Sequence, residues 1–280
     1  MPATLKGIHE HHERDCCGPK RCQHEIRVRL LDLEATRRPI VPVVAGGLDE
    51  GLAAICCENR PMADSRYWQR VYLEHTPEEV SWYEEVPRTS LQLIEEAALR
   101  LDAAILDVGG GASKLPGHLV TAGYTDVTVA DISRAALEQA RVELGDAGER
   151  VTQIEADVRF HDFARVFELW HDRAVFHFMV DPADRNRYLA TLARSLRPGG
   201  HLILATFGPN GPTRCSGLPV TRYGSDELLS VLGEDFELIS SRLEEHRTPG
   251  GRSQEFLYAH LRGKPGLGRT LIEHVETLAV

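Results

Sequence analysis

The chain of 280 residues carries 42 acidic against 32 basic side chains, a formal net charge of −10, and that balance disfavours a surface that holds nucleic acid by neutralising phosphates. Small molecules, cations and basic protein segments are the partners it leaves. No stretch reaches the roughly 18 consecutive apolar residues of a membrane helix and the N-terminus lacks the apolar core of a secretory signal, so the expectation is a cytoplasmic protein with no membrane partner.

Residues 1–61 mix a His-rich start (His9, His11, His12) with scattered arginines and a short apolar run at 40–45 broken by Pro39 and Pro42. No packed unit can be drawn from them. The expected organisation is an N-terminal extension over 1–61 and a main domain over 62–280, with a natural start at Met62 as a second reading of the same boundary. Cys16, Cys17, Cys22, Cys56 and Cys57 also fall in this segment, leaving Cys215 alone in the body, which suits a reducing compartment. With His9, His11, His12 and His24 they are numerous enough to ligate zinc. Adjacent Cys-Cys pairs do not match a C-x2–4-C knuckle, however, and no metal site is expected.

Beyond Met62, apolar runs of strand length alternate with helical periodicity, the pattern of βαβ units and a parallel sheet. Residues 90–100 read as a helix with Leu91, Ile94, Ala97 and Ala98 on one face. Residues 103–108 are apolar apart from Asp107, as suits a central parallel strand. A helix follows at 115–122, a strand at 127–130, a helix at 133–144 with Ser133 as its N-cap, and a strand at 151–156. A less regular strand runs over 167–175 through His171, Asp172 and Arg173. Residues 185–196 form a helix that Pro198-Gly199-Gly200 stops, and 201–207 another buried strand. Residues 236–244 and 255–261 read as an antiparallel hairpin around Thr248-Pro249-Gly250-Gly251.

The chemistry concentrates where the strand at 103–108 turns through Gly109, Gly110 and Gly111 into the next helix. Glycines there let the backbone approach a ligand and present its amides at a helix N-terminus. A dinucleotide turn needs a further glycine at the sixth position of G-x-G-x-x-G, where this chain has Lys114. Asp131 follows the second strand, placed to accept from both hydroxyls of a ribose, and Asp157 follows the third, placed to accept from an adenine amino group. In an open α/β sheet these strand ends line one crevice.

These features resemble the class I, seven-stranded S-adenosylmethionine-dependent methyltransferases over roughly residues 67–262. Asp107-Val108-Gly109-Gly110-Gly111 is similar to the family's first motif, Asp131 to its ribose acid, Asp157 to its adenine acid, and Arg197-Pro198-Gly199-Gly200 to its turn before the fifth strand. The resemblance implies a Rossmann-like, doubly wound α/β sheet in strand order 3-2-1-4-5-7-6 with the seventh antiparallel. It also implies S-adenosylmethionine as cofactor, held by Asp107, Gly109, Gly110, Gly111, Asp131, Ile132, Asp157 and Val158. Tyr67-Trp68, Tyr72 and Ser81-Trp82-Tyr83 resemble the segment before the first motif in lysine methyltransferases of elongation factors. Those enzymes carry Asp-Lys-Gly-Thr where this chain has Asp172-Arg173-Ala174-Val175, and the pairing of Trp170-His171-Asp172-Arg173 with Cys215-Ser216-Gly217-Leu218-Pro219 resembles a bacterial group of uncertain substrate. The acceptor is therefore left open between a small molecule and a protein lysine.

Asp172 and His171 are the candidate general bases, because the fourth strand opens beside the methyl group; a structural pairing of Asp172 with Arg173 is the other reading. His177 reads as a packing histidine before a base, and Cys215 as an unreactive loop thiol before a substrate contact. Trp68, Trp82 and Tyr83 form either a lid whose aromatic faces suit a sulfonium or a packed aromatic helix. A nicotinamide oxidoreductase and a non-catalytic binding module remain as alternatives on the same crevice.

Overall fold

The computed structural model describes residues 64–267; the expected boundary at 61/62 and the N-terminal His/Cys set lie outside them. In chain order the elements are α1 (Ser65–Glu74), α2 (Arg88–Glu96), β1 (Ala104–Val108), α3 (Leu115–Thr121), β2 (Asp126–Asp131), α4 (Arg134–Leu144) and β3 (Val151–Glu155). They continue with β4 (Phe167–Arg173), α5 (Pro182–Ser195), β5 (Leu196–Phe207), α6 (Ser225–Leu232), β6 (Phe236–Arg247) and β7 (Ser253–Gly263), with a two-residue ribbon of Arg214–Cys215 and Leu218–Pro219 between β5 and α6.

The sheet runs β3-β2-β1-β4-β5-β7-β6. The first five strands are mutually parallel, and β7 lies antiparallel to both β5 and β6. This is the seven-stranded order that the resemblance implies. Both faces are covered, and strand periodicity divides each strand between two cores. Leu106, Val108 and Trp170 pack with Tyr188 and Leu192 of α5 and Leu228 and Leu232 of α6. Ile105 and Leu169 face the other way, onto Leu93 and Ile94 of α2 and Leu115 and Leu119 of α3. The parity of β4 therefore sends His171 toward α2 and Asp172 toward α5.

Helix ends follow local chemistry. Ser133 caps α4, accepting from the Ala136 amide at 3.2 Å as expected. Asp181 caps α5 through the Ala183 amide at 2.8 Å and Pro182 takes the first turn, so this helix begins three residues before the expected position. The helix expected to reach residue 100 stops at Glu96, because Ala98 turns left-handed at φ 49°. Pro198-Gly199-Gly200 does not separate helix from strand as expected. It lies within β5, where Leu196 pairs with Phe167 but the next partner of β4, Leu169, meets His201, so the extra residues form a bulge. Among the described residues no helix is long and apolar enough to cross a membrane.

Candidate active site

Leaving β1, the chain turns at Gly109, whose φ is 63° and whose amide donates to the Ala130 carbonyl at 2.7 Å. A Cβ at Gly109 would stand 2.0 Å from Val175 Cγ2, one at Gly110 2.5 Å from Asp107 Oδ2, and one at Gly111 2.7 Å from the Tyr72 hydroxyl. The turn excludes side chains by space as well as by backbone conformation. Lys114, in place of a further glycine, is pinned by Glu85 at 2.5 Å and Glu143 at 3.0 Å.

Asp131 ends β2 in a nearly buried position, where its Oδ1 accepts from the Ser133 amide at 2.7 Å. Burial, reinforced by the nearby charge of Asp107, pushes its carboxyl up to about 7 against the pull of backbone amides. Asp157, two residues past β3, is clamped by Arg159, whose Nε and amide both reach Oδ1 and whose Nη2 reaches Oδ2 at 2.5 Å. Arg159 is tied in turn to Asp184 at 2.7 Å.

These strand ends line one cleft enclosing about 760 Å³, including its open mouth. Gly109, Asp131, Ile132, Asp157 and Val158 form its floor and one wall; Trp68, Trp82, Phe178, Met179 and Cys215 close the other side. Trp68 meets Trp82 edge-on at 5.9 Å and Phe178 at 5.3 Å, and Tyr67 of α1 donates to the Ser216 carbonyl, tying that helix to the Cys215 ribbon. A second cleft of about 580 Å³ adjoins the first, sharing Tyr72, Trp82, Gly109 and Arg173 and adding Ser90, Asp107, Gly110, His171 and Glu84.

At the end of β4, His171 is buried between Asp107 Oδ1, 2.7 Å from its Nδ1, and Ser90 Oγ, 2.9 Å from its Nε2. Asp172 is fully buried on the opposite face. It accepts from the amides of Val175 at 3.0 Å and Phe176 at 3.1 Å and from the Tyr188 hydroxyl at 2.6 Å. Burial pushes its carboxyl up to about 6 although these donors favour the charged form. Arg173 donates through Nε to the Tyr258 hydroxyl at 2.9 Å and through Nη1 to the Trp82 carbonyl at 2.8 Å, with its guanidinium 4.8 Å from the Phe256 ring centroid.

Residues 105–200 match the family model described as a methyltransferase domain. That stretch carries a methyltransferase domain, and the chain has the fold of S-adenosylmethionine-dependent methyltransferases. It is 25% identical to the zebrafish (Danio rerio) EEF1A lysine methyltransferase 2 over 166 residues, 56% of this chain and 65% of that protein. It is 26% identical to a ubiquinone biosynthesis O-methyltransferase of Vibrio parahaemolyticus over 144 residues, 51% of this chain and 58% of that one. The chain thus spans less than two thirds of the length of either. A methyltransferase structure from Anabaena variabilis superposes with a TM-score of 0.57 at 17% identity, covering 71% of this chain and 93% of the other, and shares the fold.

Within this methyltransferase fold, Gly109, Asp131, Ile132, Asp157 and Val158 line the first cleft, Asp107 and Gly110 the second, while Gly111 lines neither and packs under Tyr72 and Asp131. The two residues expected as bases stand differently. Asp172 lines neither cleft, and its partners are Tyr188 and backbone amides, not Arg173. His171 has both ring nitrogens engaged inside the fold. His177 is fully buried, its imidazole pushed down to about 3 by burial and by Arg173. Trp68 and Trp82 reach the cleft whereas Tyr83 stands over Lys114 at 5.5 Å. The sequence reading gave no site role to Arg173, Phe178 or Met179. Counting β4 by twos would have put His171 and Arg173 on the face of Asp107 and Asp172 behind it; nothing local marks Phe178 and Met179 as cleft residues.

Proposed function

We propose that the chain transfers the methyl group of S-adenosylmethionine to an acceptor that enters beside Phe178, Met179 and Cys215. The observation that carries this reading is the meeting of Gly109, Asp131 and Asp157, from three successive strand ends, in one cleft. The residues present suit the cofactor. Asp131 Oδ1 is taken by the Ser133 amide, and a carboxylate with about four lone-pair sites keeps acceptor capacity that fits a ribose diol. Ile132 and Val158 offer apolar surface to an adenine. Asp157, although clamped, keeps acceptor capacity on Oδ2 for an exocyclic amine, since a carboxylate has about four lone-pair sites.

When bound, the cofactor supplies an electrophilic methyl group on a sulfonium with a neutral thioether as leaving group. The chain has to orient the reactants and exclude water. Trp68 and Trp82 present aromatic faces and edges that suit a cation and close the cleft from the α1 side. The titratable group on the acceptor side is a poor proton acceptor, Cys215 being a buried thiol pushed up to about 12, and Asp172 lies outside the cleft, enclosed by its donors. The acceptor therefore brings its own lone pair, as a neutral amine or an acidic hydroxyl. The lysine and oxygen acceptors named for the two relatives meet this condition in their deprotonated forms, the lysine after its ammonium has given a proton to water.

The same reading takes residues 62–280 as the methyltransferase domain, 1–61 as an extension, and the cytoplasm as the place of action, supported by a body whose described part holds one free, buried cysteine. Transfer of tritiated methyl from the cofactor into a fractionated cell lysate tests the activity. Label in a protein or small-molecule fraction that depends on the chain supports it, and no transfer to any fraction contradicts it.

A further inference from the structure

We propose that residues 76–87, the strap between α1 and α2, form a lid over the two clefts, latched by glutamates of the strap on cations of the scaffold, and that breaking these pairs lets the cofactor in and out. This rests on the methyltransferase reading and deepens it. Trp82, in the middle of the strap, lines both clefts, so a ligand in either lies against it. Yet the strap is bound to the sheet by side chains alone. Among the described residues, the backbone–backbone hydrogen bonds of 76–87 run within the strap, as from the Tyr83 amide to the Val80 carbonyl at 3.2 Å, or to the first turn of α2. A segment outside every ladder of the sheet moves without unpairing a strand, and such segments open at a fraction of the free energy of global unfolding.

The charged residues of the strap are all glutamates, Glu78, Glu79, Glu84 and Glu85, and two of them meet cations of the scaffold. The inner latch is Glu84. Arg173, at the end of β4, donates through Nη1 to the Trp82 carbonyl at 2.8 Å and holds Nη2 3.1 Å from Glu84 Oε1. His246 of β6 donates through Nε2 to the Ser81 carbonyl at 2.8 Å, with Nδ1 3.6 Å from the same glutamate oxygen. Burial opposes the charge of Glu84, but His246 and Arg173 outweigh it and hold the carboxyl below its usual range. The outer latch is Glu85, which Lys114 reaches at 2.5 Å while Glu143 of α4 anchors the ammonium at 3.0 Å. The Glu85 side chain is 69% exposed against 18% for Glu84, so salt screens the outer pair far more than the inner one. Trp82 also packs on Trp68 at 5.9 Å and Tyr72 at 6.2 Å, but both belong to α1, at the strap's own end, and not to the sheet.

The test is stopped-flow tryptophan fluorescence of the full chain with S-adenosylhomocysteine. For the wild type the observed association rate should level off as ligand is raised, the plateau being the rate of lid opening. Glu85→Gln, at an exposed position, should raise the plateau and the dissociation rate by about two- to fivefold. Adding Glu84→Gln should bring the increase to about tenfold or more. Raising sodium chloride from about 50 to about 500 mM should speed wild-type dissociation about as much as Glu85→Gln does and leave the rate of that variant nearly unchanged. Should the double variant fail to fold, the single variant and the salt series decide. An association rate that stays linear in ligand, or a dissociation rate that neither Glu85→Gln nor salt changes, overturns the lid. A wild type that gives neither a fluorescence change nor heat with S-adenosylhomocysteine refutes the methyltransferase reading instead.

Discussion

At the ends of β1, β2 and β3 the ligand-facing groups are a glycine turn and two carboxylates, each within two residues of its strand. At the ends of β4 and β5 they are Arg173, Phe178, Met179 and Cys215, joined by Trp68 and Trp82 from segments far away in sequence. The first half is built by the backbone, and its chemistry follows from where a strand stops. The second is built by side chains whose direction depends on pleat parity and on packing partners remote in the chain. The difference explains why a methyltransferase can present a recognisable cofactor site beside an unrecognisable acceptor site.

The sharpest way to break the first half is Gly109→Ala. The left-handed backbone costs about 1–2 kcal/mol for a residue with a Cβ, and the overlap with Val175 adds about 1–3 kcal/mol. The expected outcome in urea unfolding is a loss of about 2–5 kcal/mol, with adenosylhomocysteine binding lost at micromolar protein. A variant as stable as the wild type would mean that the turn is not held as tightly as its geometry states.

Asp172→Asn separates the two accounts of β4. A general base would lose transfer activity with little change in stability; a buried acceptor for two amides and a phenol should instead lose about 1–3 kcal/mol of stability. The pH dependence carries the same distinction. Burial raises the folded-state carboxyl to about 6 from the ordinary aspartate value of 3.8, so the folded chain holds this proton longer than the unfolded one, and its contribution to stability declines as pH rises from about 4 to about 6. Unfolding midpoints across that window should vary less in the Asn variant than in the wild type. Identical slopes would remove Asp172 from this role.

A smaller effect is expected at Asp131. Asp131→Ala removes a charge-assisted acceptor and should weaken adenosylhomocysteine by about tenfold or more. Since a ribose diol donates to the ionised carboxylate and the free chain holds this group at about 7, wild-type affinity should fall as pH drops from 8 to 6. The alanine variant should show no such fall, and parallel pH profiles would exclude Asp131 as the ribose acceptor. Least of all, Cys215→Ala should leave cofactor affinity within about twofold, because the thiol is neutral and reaches only the acceptor side.

What was legible in the sequence divides along the same line. The glycine turn and the acids after β2 and β3 could be read because spacing alone places them, strand order followed only from the family resemblance, and Ser133 could be placed as a cap because its partner is three residues away. The pairing of Asp157 with Arg159 sat two residues off and was open to view, whereas the link from Arg159 to Asp184 required α5 to be folded into place. The surroundings of Asp172 were not legible, because chain position places it at the end of a strand while its side chain points into the core that holds Tyr188. The role of Arg173 depends on Tyr258, Trp82 and Glu84, more than eighty residues away on either side, and no local pattern announces such a contact.

The central claim is that the crevice over β1, β2 and β3 is a site for an adenosyl cofactor carrying an amino acid and not for a dinucleotide. Isothermal titration of the full chain with S-adenosylhomocysteine and, separately, with NAD tests it most directly. Saturable binding of one adenosylhomocysteine per chain with no heat from NAD is the predicted result; binding of NAD, or silence with adenosylhomocysteine, would contradict it.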